Sequence, residues 1–318
     1  MPSRLLGYIL FLGMLATGVS SAQEGIAEVP IPRDAIGGIV ACGADGQAFL
    51  PLNFAALRVA LEGSSLTFGL PDKASVRAVA PYPAGVNILG RSQEPKLFIY
   101  HFDNVGKLIA QHPVSTDLDD VMMAATSSGI TILVGHHLVN SVESGYGGLV
   151  LDAGDQVISR FELPSPPEGG AWTFGAWNSI SDHLQITAGD RAAYVLLHSN
   201  EPLATEIVRI SESGKLSVKT LEPISGDPQD TKWLVGPGVA VEMYHGAGDR
   251  RRRNAHPVWN FDEYDLKSGQ RIASKIAPMG EFTPFTAACY YGDSVTGLGA
   301  RQVAPDEPYL RLRIAKLQ

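Results

Sequence analysis

Polar side chains close six apolar runs spaced along this chain of 318 residues, and most of them are histidines or arginines. The run at 194–197 is followed directly by His198, and the run at 239–244 by His245. Imidazole nitrogens ligate transition metals and act as general bases near neutral pH. The candidate ligand-binding residues selected in this way are Asn53, Arg91, His136, His137, His198, His245 and Arg301.

A divalent metal, either calcium or a transition metal, is the cofactor that these residues suggest. His136, His198 and His245 are the candidate nitrogen ligands, and Asp119 and Asp120 are the candidate carboxylate ligands. The segment 117–120 lacks the full alternation and the glycine of a calcium-binding loop, so it also fits a solvated turn. The histidines have a plain alternative too, because polar residues commonly appear where strands leave a core.

Two long connections are predicted beside these polar residues, at 137–147 and at 246–258. The second contains four consecutive arginines, of which Arg251 and Arg252 are candidate ligand-binding residues. Such a run can bind an anionic polymer, a phosphate or an acidic partner, and it also fits a solvated loop. Loops on a rigid scaffold are common places for binding residues.

Pairs of β-favouring runs separated by tight turns must position these side chains. Proline lacks the N–H that a sheet ladder needs and is tolerated at strand ends and sheet edges. The second run of each pair, called here the returning run, stops at a proline and is therefore predicted to be an edge strand. Gly, Asp, Ser and Asn fill the turns and supply the backbone angles of short hairpins. The prolines that end the returning runs are Pro71, Pro113, Pro164, Pro223 and Pro278.

Two further strands fit before each hairpin, which gives six repeats of four strands at intervals of about 50 residues. This repeat resembles that of the β-propeller superfamily, although neither WD dipeptides nor sialidase-type aspartate boxes occur. The resemblance implies an all-β fold, a six-bladed β-propeller of four-stranded antiparallel blades. It also implies that the ends of the second strands share one face with the long connections.

The two ends of the chain are predicted to meet in the last blade. The sixth repeat has no returning strand, and the segment 26–32 near the N-terminus has the same strand-then-proline form. A strand from this segment would complete the sixth blade, close the ring and remove its open edge.

The two cysteines occupy matching places in the first and the sixth repeats. Cys42 lies four residues before the turn residue Gly46, and Cys289 lies four residues before Asp293. These repeats adjoin in a closed ring, so the spacing favours a disulfide, which an oxidising compartment allows. Two separate buried thiols are the alternative.

Residues 1–22 have the pattern of a signal peptide, with Arg4, an apolar stretch at 5–19 and small residues before Gln23. The stretch is short for a bilayer, which takes about 20 residues. We therefore expect a secreted or periplasmic monomer with one domain at 23–318 and no membrane span after cleavage. The net charge of −8 disfavours nucleic acid as a partner.

Two functional hypotheses lead, beside a third in which the protein is a structural component of a cell-surface or matrix assembly. The first is a binding or scaffold module that engages a protein, peptide or glycan on its long-loop face. The second is a metal-assisted hydrolase or lactonase with its site at the mouth of the central channel. No G-x-S-x-G, H-E-x-x-H or C-x-x-C motif occurs. Enzyme activity stays open, because active residues drawn from several blades leave no local motif.

Overall fold

The computed structural model of this chain describes residues 26–32, 40–43, 45–92, 96–139, 142–168, 172, 185–189, 191–200, 203–222, 231–236, 238–245, 258–278, 285–292, 294–299 and 309–317. Within these ranges the regular elements are 24 β-strands and a 3-10 turn at Pro71–Lys73. The first strand is β1 (Ile26–Pro32). The predicted signal peptide at 1–22 lies outside the described residues.

Three sheets of consecutive strands follow β1. Blade 1 contains β2 (Ala41–Cys42), β3 (Ala48–Pro51), β4 (Ala55–Val59) and β5 (Ser65–Gly69). Blade 2 contains β6 (Ser75–Tyr82), β7 (Gly85–Arg91), β8 (Leu97–Asp103) and β9 (Leu108–Val114). Blade 3 contains β10 (Leu118–Ala125), β11 (Thr131–Val139), β12 (Val142–Leu151) and β13 (Val157–Glu162).

Two more blades and one composite sheet complete the described strands. Blade 4 contains β14 (Gln185–Ala188), β15 (Ala192–Asn200), β16 (Leu203–Ser211) and β17 (Leu216–Leu221). Blade 5 contains β18 (Thr231–Gly236), β19 (Val239–His245), β20 (Val258–Asp265) and β21 (Arg271–Pro278). The composite sheet combines β22 (Phe285–Tyr291), β23 (Ser294–Gly299) and β24 (Tyr309–Lys316) with β1.

The fold is an all-β propeller of four-stranded antiparallel blades. In each blade the strands lie in the order in which they follow one another along the chain. The predicted number of six blades is not confirmed, because five blades are built from consecutive strands. The remaining sheet has the order β1-β24-β23-β22, so it takes strands from the two ends of the described chain.

The hydrophobic core lies between neighbouring blades. One buried cluster contains Val134 and Val150 of blade 3 together with Val195 and Val208 of blade 4. Corresponding clusters join blades 1 and 2, blades 2 and 3, and blades 4 and 5. A four-stranded sheet has two faces, and a blade in a propeller covers its faces by stacking against its neighbours.

The turn between the third and fourth strands repeats a left-handed backbone position. Gly63, Gly106, Gly214 and Gly269 occupy this position in blades 1, 2, 4 and 5, with φ angles between 73° and 89°. A residue with a Cβ pays a steric cost there, so glycine is expected. In blade 3 the same position is occupied by Asp155, whose φ is 60°.

Two details differ from the prediction. The segment 137–147 is not a long connection, because β11 and β12 continue the ladder to the pair Val139 and Val142. Val139 and Val142 are β-branched residues, which favour strands, and they extend both strands into the predicted connection. The outer strand β9 also runs through Pro113 to Val114. An outer strand tolerates proline because only one of its edges is paired.

The two ends of the described chain are joined by hydrogen bonds and by a disulfide. β1 pairs with β24 from Ile26 with Ala315 to Pro32 with Tyr309, so the predicted partner of the N-terminal strand is confirmed. Cys42 and Cys289 form the favoured disulfide, with 5.3 Å between their Cα atoms. Within the described ranges, no helix has the length and apolar character that a membrane crossing requires.

The turns of one blade also contact the preceding blade. Arg58 Nη1 of blade 1 donates to the carbonyl of Asn104 in blade 2 at 3.1 Å. Glu212 of blade 4 accepts a hydrogen bond of 2.8 Å from Thr126 Oγ1 of blade 3 and another from Ser128. These contacts link the outer ends of blades whose cores are already packed together.

We expect the disulfide to stabilise the fold by up to about 5 kcal/mol, because it closes a loop of 247 residues and restricts the unfolded chain. The double substitution Cys42→Ala and Cys289→Ala should lower the guanidinium unfolding midpoint. Wild-type protein in reductant is the control and should unfold near the same midpoint. A double variant as stable as the oxidised wild type would contradict this prediction.

We expect Glu212 to make stability depend on acid pH. Burial alone would raise the pKa of Glu212, but the hydrogen bonds from Ser128 and Thr126 and the nearby Arg191 outweigh it and hold this pKa below its ordinary value of 4.5. A carboxyl whose pKa is lowered by folding stabilises the protein above its unfolded pKa, and this contribution is lost as the pH falls through the folded pKa.

The measurement is urea unfolding of the wild type and of Glu212→Gln between pH 7 and pH 3. The wild type should be the more stable of the two near neutrality, and the difference should shrink as the pH falls below the ordinary carboxyl range. A difference that stays constant over the whole range would contradict the assignment.

Candidate functional site

The predicted polar residues lie at or near the ends of the second strands. Arg91 is the last residue of β7 and His245 the last of β19, while Asn53 follows β3 by two residues. Arg251, Arg252 and Arg301 lie outside the described residues, as does the side chain of His245.

His137 belongs to a charged group at the surface of blade 3. Its Nδ1 lies 3.4 Å from Asp117 Oδ2, and its Nε2 lies 3.2 Å from Glu162 Oε1. Arg160 Nη1 lies 3.2 Å from Asp117 Oδ1. A backbone hydrogen bond, which outweighs burial, and the neighbouring Arg160 and His137 hold the pKa of Asp117 below its usual value. Both carboxylates are more than half exposed, so the pairs are worth little in stability.

His136 and His198 have separate surroundings. The His136 ring lies 4.0 Å from the ring of Tyr146, and its partner across the strand pair is Asp119. His198 Nδ1 lies 2.8 Å from Thr205 Oγ1. In the part of the chain that the structure describes, neither histidine belongs to a group of three close metal-ligating side chains. The metal set of His136, His198, His245, Asp119 and Asp120 therefore stays a prediction.

A different cluster of three ligating side chains lies between blades 2 and 3. His101 on β8 places Nε2 2.6 Å from Asp155 Oδ2, and His112 on β9 places Nδ1 2.8 Å from the same oxygen. Asp155 belongs to the turn between β12 and β13, and its carboxylate is fully buried. We call His101, His112 and Asp155 the interblade cluster.

A buried amide and a hydroxyl support His101 from behind. His101 Nδ1 lies 2.8 Å from Asn87 Oδ1, and Asn87 Nδ2 donates to Thr131 Oγ1 of blade 3 at 3.1 Å. An amide oxygen only accepts, and so does a carboxylate. His101 is therefore held between two oxygen acceptors, one from Asn87 of its own blade and one from Asp155 of blade 3.

The Asp155 carboxylate also acts on Tyr82, which packs against the same interblade core. Burial is the main cause that raises the pKa of the Tyr82 phenol, and the negative charge of Asp155 adds to it. A charged carboxylate thus lies inside the boundary between the two blades.

The backbone of Asp155 marks the cluster as a special position. The other four blades have glycine at this turn position, whereas Asp155 accepts a left-handed conformation that costs about 1 kcal/mol or more. A Cβ built on Gly106 in blade 2 would meet Leu66 of blade 1 at 3.5 Å, so a side chain here points into the preceding blade. The left-handed conformation of Asp155 costs free energy, but it places the carboxylate beside His101 and His112.

The buried carboxylate of Asp262 in blade 5 provides a contrast. Its Oδ1 accepts from Arg271 Nη2 at 2.7 Å, and its Oδ2 accepts from the Tyr244 hydroxyl at 3.0 Å. Both oxygens of Asp262 are therefore satisfied. Among the described residues no donor reaches Asp155 Oδ1, although this atom is buried. Asp155 Oδ1 is therefore available as an acceptor for a further partner.

Apolar side chains are exposed on the outer hairpins of the same two blades. Ile109 on β9 is 62 % exposed and Ile158 on β13 is 53 % exposed. Each lies three residues after the left-handed position of its turn, and their hairpins meet through His112 and Asp155. We call Val105, Leu108, Ile109, Val157 and Ile158 the outer band.

Neither the interblade cluster nor the outer band is among the candidate sites predicted from the sequence. His101 and His112 lie within strands, and Asp155 lies 54 and 43 residues further along. The sequences of the turns do contain a signal for this site. Asp152-Ala153-Gly154-Asp155 aligns with Asp103-Asn104-Val105-Gly106, so Asp155 takes the place of the last glycine. The adjacent Gly154 hides this exchange.

Neither a protein family nor a curated protein matches this chain. Among solved structures it is similar to a subtype N11 neuraminidase-like protein of A/flat-faced bat/Peru/033/2010, with 8% identity, 92% of this chain and 93% of that chain covered, and a TM-score of 0.47. It is also similar to the WD40 domain of SCAP from fission yeast, with 9% identity, 92% and 73% covered, and a TM-score of 0.35.

A protein of unknown function from Bacteroides caccae is similar at 12% identity, with 82% of this chain and 85% of that chain covered and a TM-score of 0.41. Similarities at this level carry no argument about activity or ligand. The arrangement of the strands defines the class of protein, which is a β-propeller. A charged cluster lies between two of its blades.

We expect Asp155→Gly to lower the free energy of unfolding by about 2 kcal/mol. Glycine relieves the left-handed backbone, but the loss of two hydrogen bonds from histidine to a charged carboxylate costs more than this relief. Gly106→Asp is the matched control, because it places an aspartate at the same turn position beside Leu66 and should cost about 1 kcal/mol through backbone strain alone. Urea unfolding measures both variants. An Asp155→Gly variant as stable as the wild type would show that the cluster contributes nothing.

Proposed function

We propose that this protein is an extracytoplasmic β-propeller that acts as a binding module for a protein or peptide. The observation that carries this proposal is the outer band, a set of aliphatic side chains exposed on two adjoining hairpins. Exposed apolar groups that lie together are a feature of protein interaction surfaces. Aliphatic side chains offer neither hydrogen bonds nor ring faces to a sugar, so a glycan is the least favoured of the predicted ligands.

The scaffold proposed for this function is a ring with the composite sheet as its sixth blade. Two observations support the ring. β2 of blade 1 contacts β6 on one side and β22 of the composite sheet on the other. The disulfide between Cys42 and Cys289 joins the same two strands, β2 and β22. A closed ring presents its outer hairpins in fixed positions, which limits the entropy that binding costs.

The proposed location is secreted or periplasmic. The disulfide supports it, because such bonds persist in oxidising compartments. The signal-peptide pattern at 1–22 supports it as well. The proposed organisation is a single domain at 23–318, and the proposed free state is a monomer.

Two sequence predictions remain beside this proposal. The face that carries Asn53, Arg91, His137 and the arginine run at 250–253 is a second candidate surface for a partner. The hydrolase or lactonase hypothesis keeps its predicted residues, but no described contact among them favours it.

The binding surface is tested by Ile109→Ser with Ile158→Ser. Each replacement removes an exposed aliphatic side chain from the outer band, and burial of such a side chain is worth about 1.5 to 3 kcal/mol. Wild-type and variant proteins are compared for specific partners in an extracytoplasmic extract of the source organism, and the affinity for the recovered partner is then measured by calorimetry. The double variant should bind at least about 100-fold more weakly.

The matched control is Ile272→Ser with Ile276→Ser, which removes two exposed isoleucines from the outer strand of blade 5. This control should bind as the wild type does. Equal binding by all three proteins, or a loss only in the control, would reject the outer band as the binding surface. A recovered partner whose binding is lost on replacing the arginines at 250–253 would transfer the function to the long-loop face.

A further inference from the structure

The interblade cluster has the composition and spacing of a metal site. His101 Nε2, His112 Nδ1 and Asp155 Oδ2 all lie within 4.8 Å of one another. They come from three segments, β8, β9 and the turn between β12 and β13, so the groups converge only because two blades pack together. From this convergence we infer that the cluster is a binding site for Zn²⁺ that joins blades 2 and 3.

The donor set selects the kind of cation. Two imidazole nitrogens with one carboxylate oxygen are ligands that zinc binds at about 2.0 to 2.2 Å. Calcium and magnesium prefer oxygen ligands and would leave both imidazoles unused. Other transition metals also bind imidazole, but zinc accepts a four-coordinate site without a demand on geometry from its d electrons.

The contacts within the interblade cluster mark the place of the cation. His101 Nε2 and His112 Nδ1 both lie beside a single oxygen, Asp155 Oδ2, at 2.6 and 2.8 Å. Tetrahedral ligands at zinc distances lie about 3.3 Å apart. The two nitrogen–oxygen distances therefore need to lengthen by only about 0.6 Å on average, and the two histidine nitrogens already lie within 4.8 Å of each other.

The support behind His101 fits a metal ligand. Metal-bound histidine almost always donates its second N–H to an oxygen acceptor, which fixes the ring and its tautomer. His101 Nδ1 faces Asn87 Oδ1 at 2.8 Å, and the amide of Asn87 is held by Thr131. Asn87 is fully enclosed, so the imidazole keeps Nε2 directed at Asp155. Asn87 is thus a positioning residue for this site.

The site has an unfilled acceptor and an entry path. Asp155 Oδ1 is buried and no donor reaches it from the described residues, so it is available to a cation or to a metal-bound water. The His112 side chain is 39 % exposed, which opens the cluster to solvent on one side. Three protein ligands with one open direction leave a fourth position for water.

The left-handed conformation of Asp155 agrees with this role. A hydrogen bond between turns does not require an aspartate at the left-handed position. In blade 4, Glu212 reaches Thr126 from a neighbouring turn position, and Gly214 keeps the left-handed angle. A Cβ at the left-handed position points into the preceding blade, as the one built on Gly106 does towards Leu66. From this position the Asp155 carboxylate reaches both His101 and His112.

The test uses untagged mature protein treated with a chelator and titrated with ZnCl₂ by calorimetry and by equilibrium dialysis. The wild type is expected to bind one equivalent of zinc with a Kd below about 1 µM, and zinc should raise its Tm. His112→Ala and Asp155→Asn should each weaken binding at least 100-fold and abolish the zinc-dependent rise in Tm. Asn87→Ala should weaken binding about 10-fold to 100-fold.

His198→Ala separates this site from the predicted metal set at the ends of the second strands, and it should bind zinc as the wild type does. Circular dichroism establishes that each variant is folded. Cobalt added to the wild type gives a second measurement that needs no variant, because Co²⁺ with four nitrogen and oxygen ligands absorbs in the visible region. A wild type that binds no zinc below 100 µM, or zinc binding lost in His198→Ala and kept in His112→Ala, would overturn the assignment.

Discussion

The structure depends on the need of each blade to cover both faces of its sheet. Val134 and Val150 of blade 3 are buried only because Val195 and Val208 of blade 4 lie against them, and the same holds at the other described blade boundaries. Apolar contact between blades therefore sets the spacing at which polar groups from different blades can meet. Buried polar groups at these boundaries require partners from the adjacent sheet, and Asn87 with Thr131 is one such pair.

Strand order and hairpin positions could be predicted from the sequence because their determinants are local. Glycines in the turns, such as Gly63, Gly106 and Gly214, impose the hairpins through their backbone angles, and prolines mark the outer strands. The pairing of Cys42 with Cys289 could also be predicted, because equivalent places in two repeats point to neighbouring sheets. The extension of β11 and β12 could not, since the ladder continues to the pair Val139 and Val142 through a segment that also contains Gly145 and Gly147.

The interblade cluster could not be predicted because its geometry depends on how two sheets stack. His101 lies opposite Ala110 within blade 2, and Asp155 belongs to a turn of the next blade. No spacing along the chain expresses that contact. The predicted polar residues at the ends of the second strands follow from the repeat alone. Their positions along the strands are regular, but regular placement does not bring His136 and His198 into one three-residue group within the described chain.

The pairing of β1 with β24 has a consequence for synthesis. Ile26 is synthesised about 290 residues before its partner Ala315. At about 5 to 20 residues per second, β1 waits without its partner for about 15 to 60 seconds. During that interval the composite sheet is incomplete and an edge is available to other chains. The synthesis of β24, followed by oxidation of the two thiols, thus decides whether β1 pairs within its own molecule or with a neighbour.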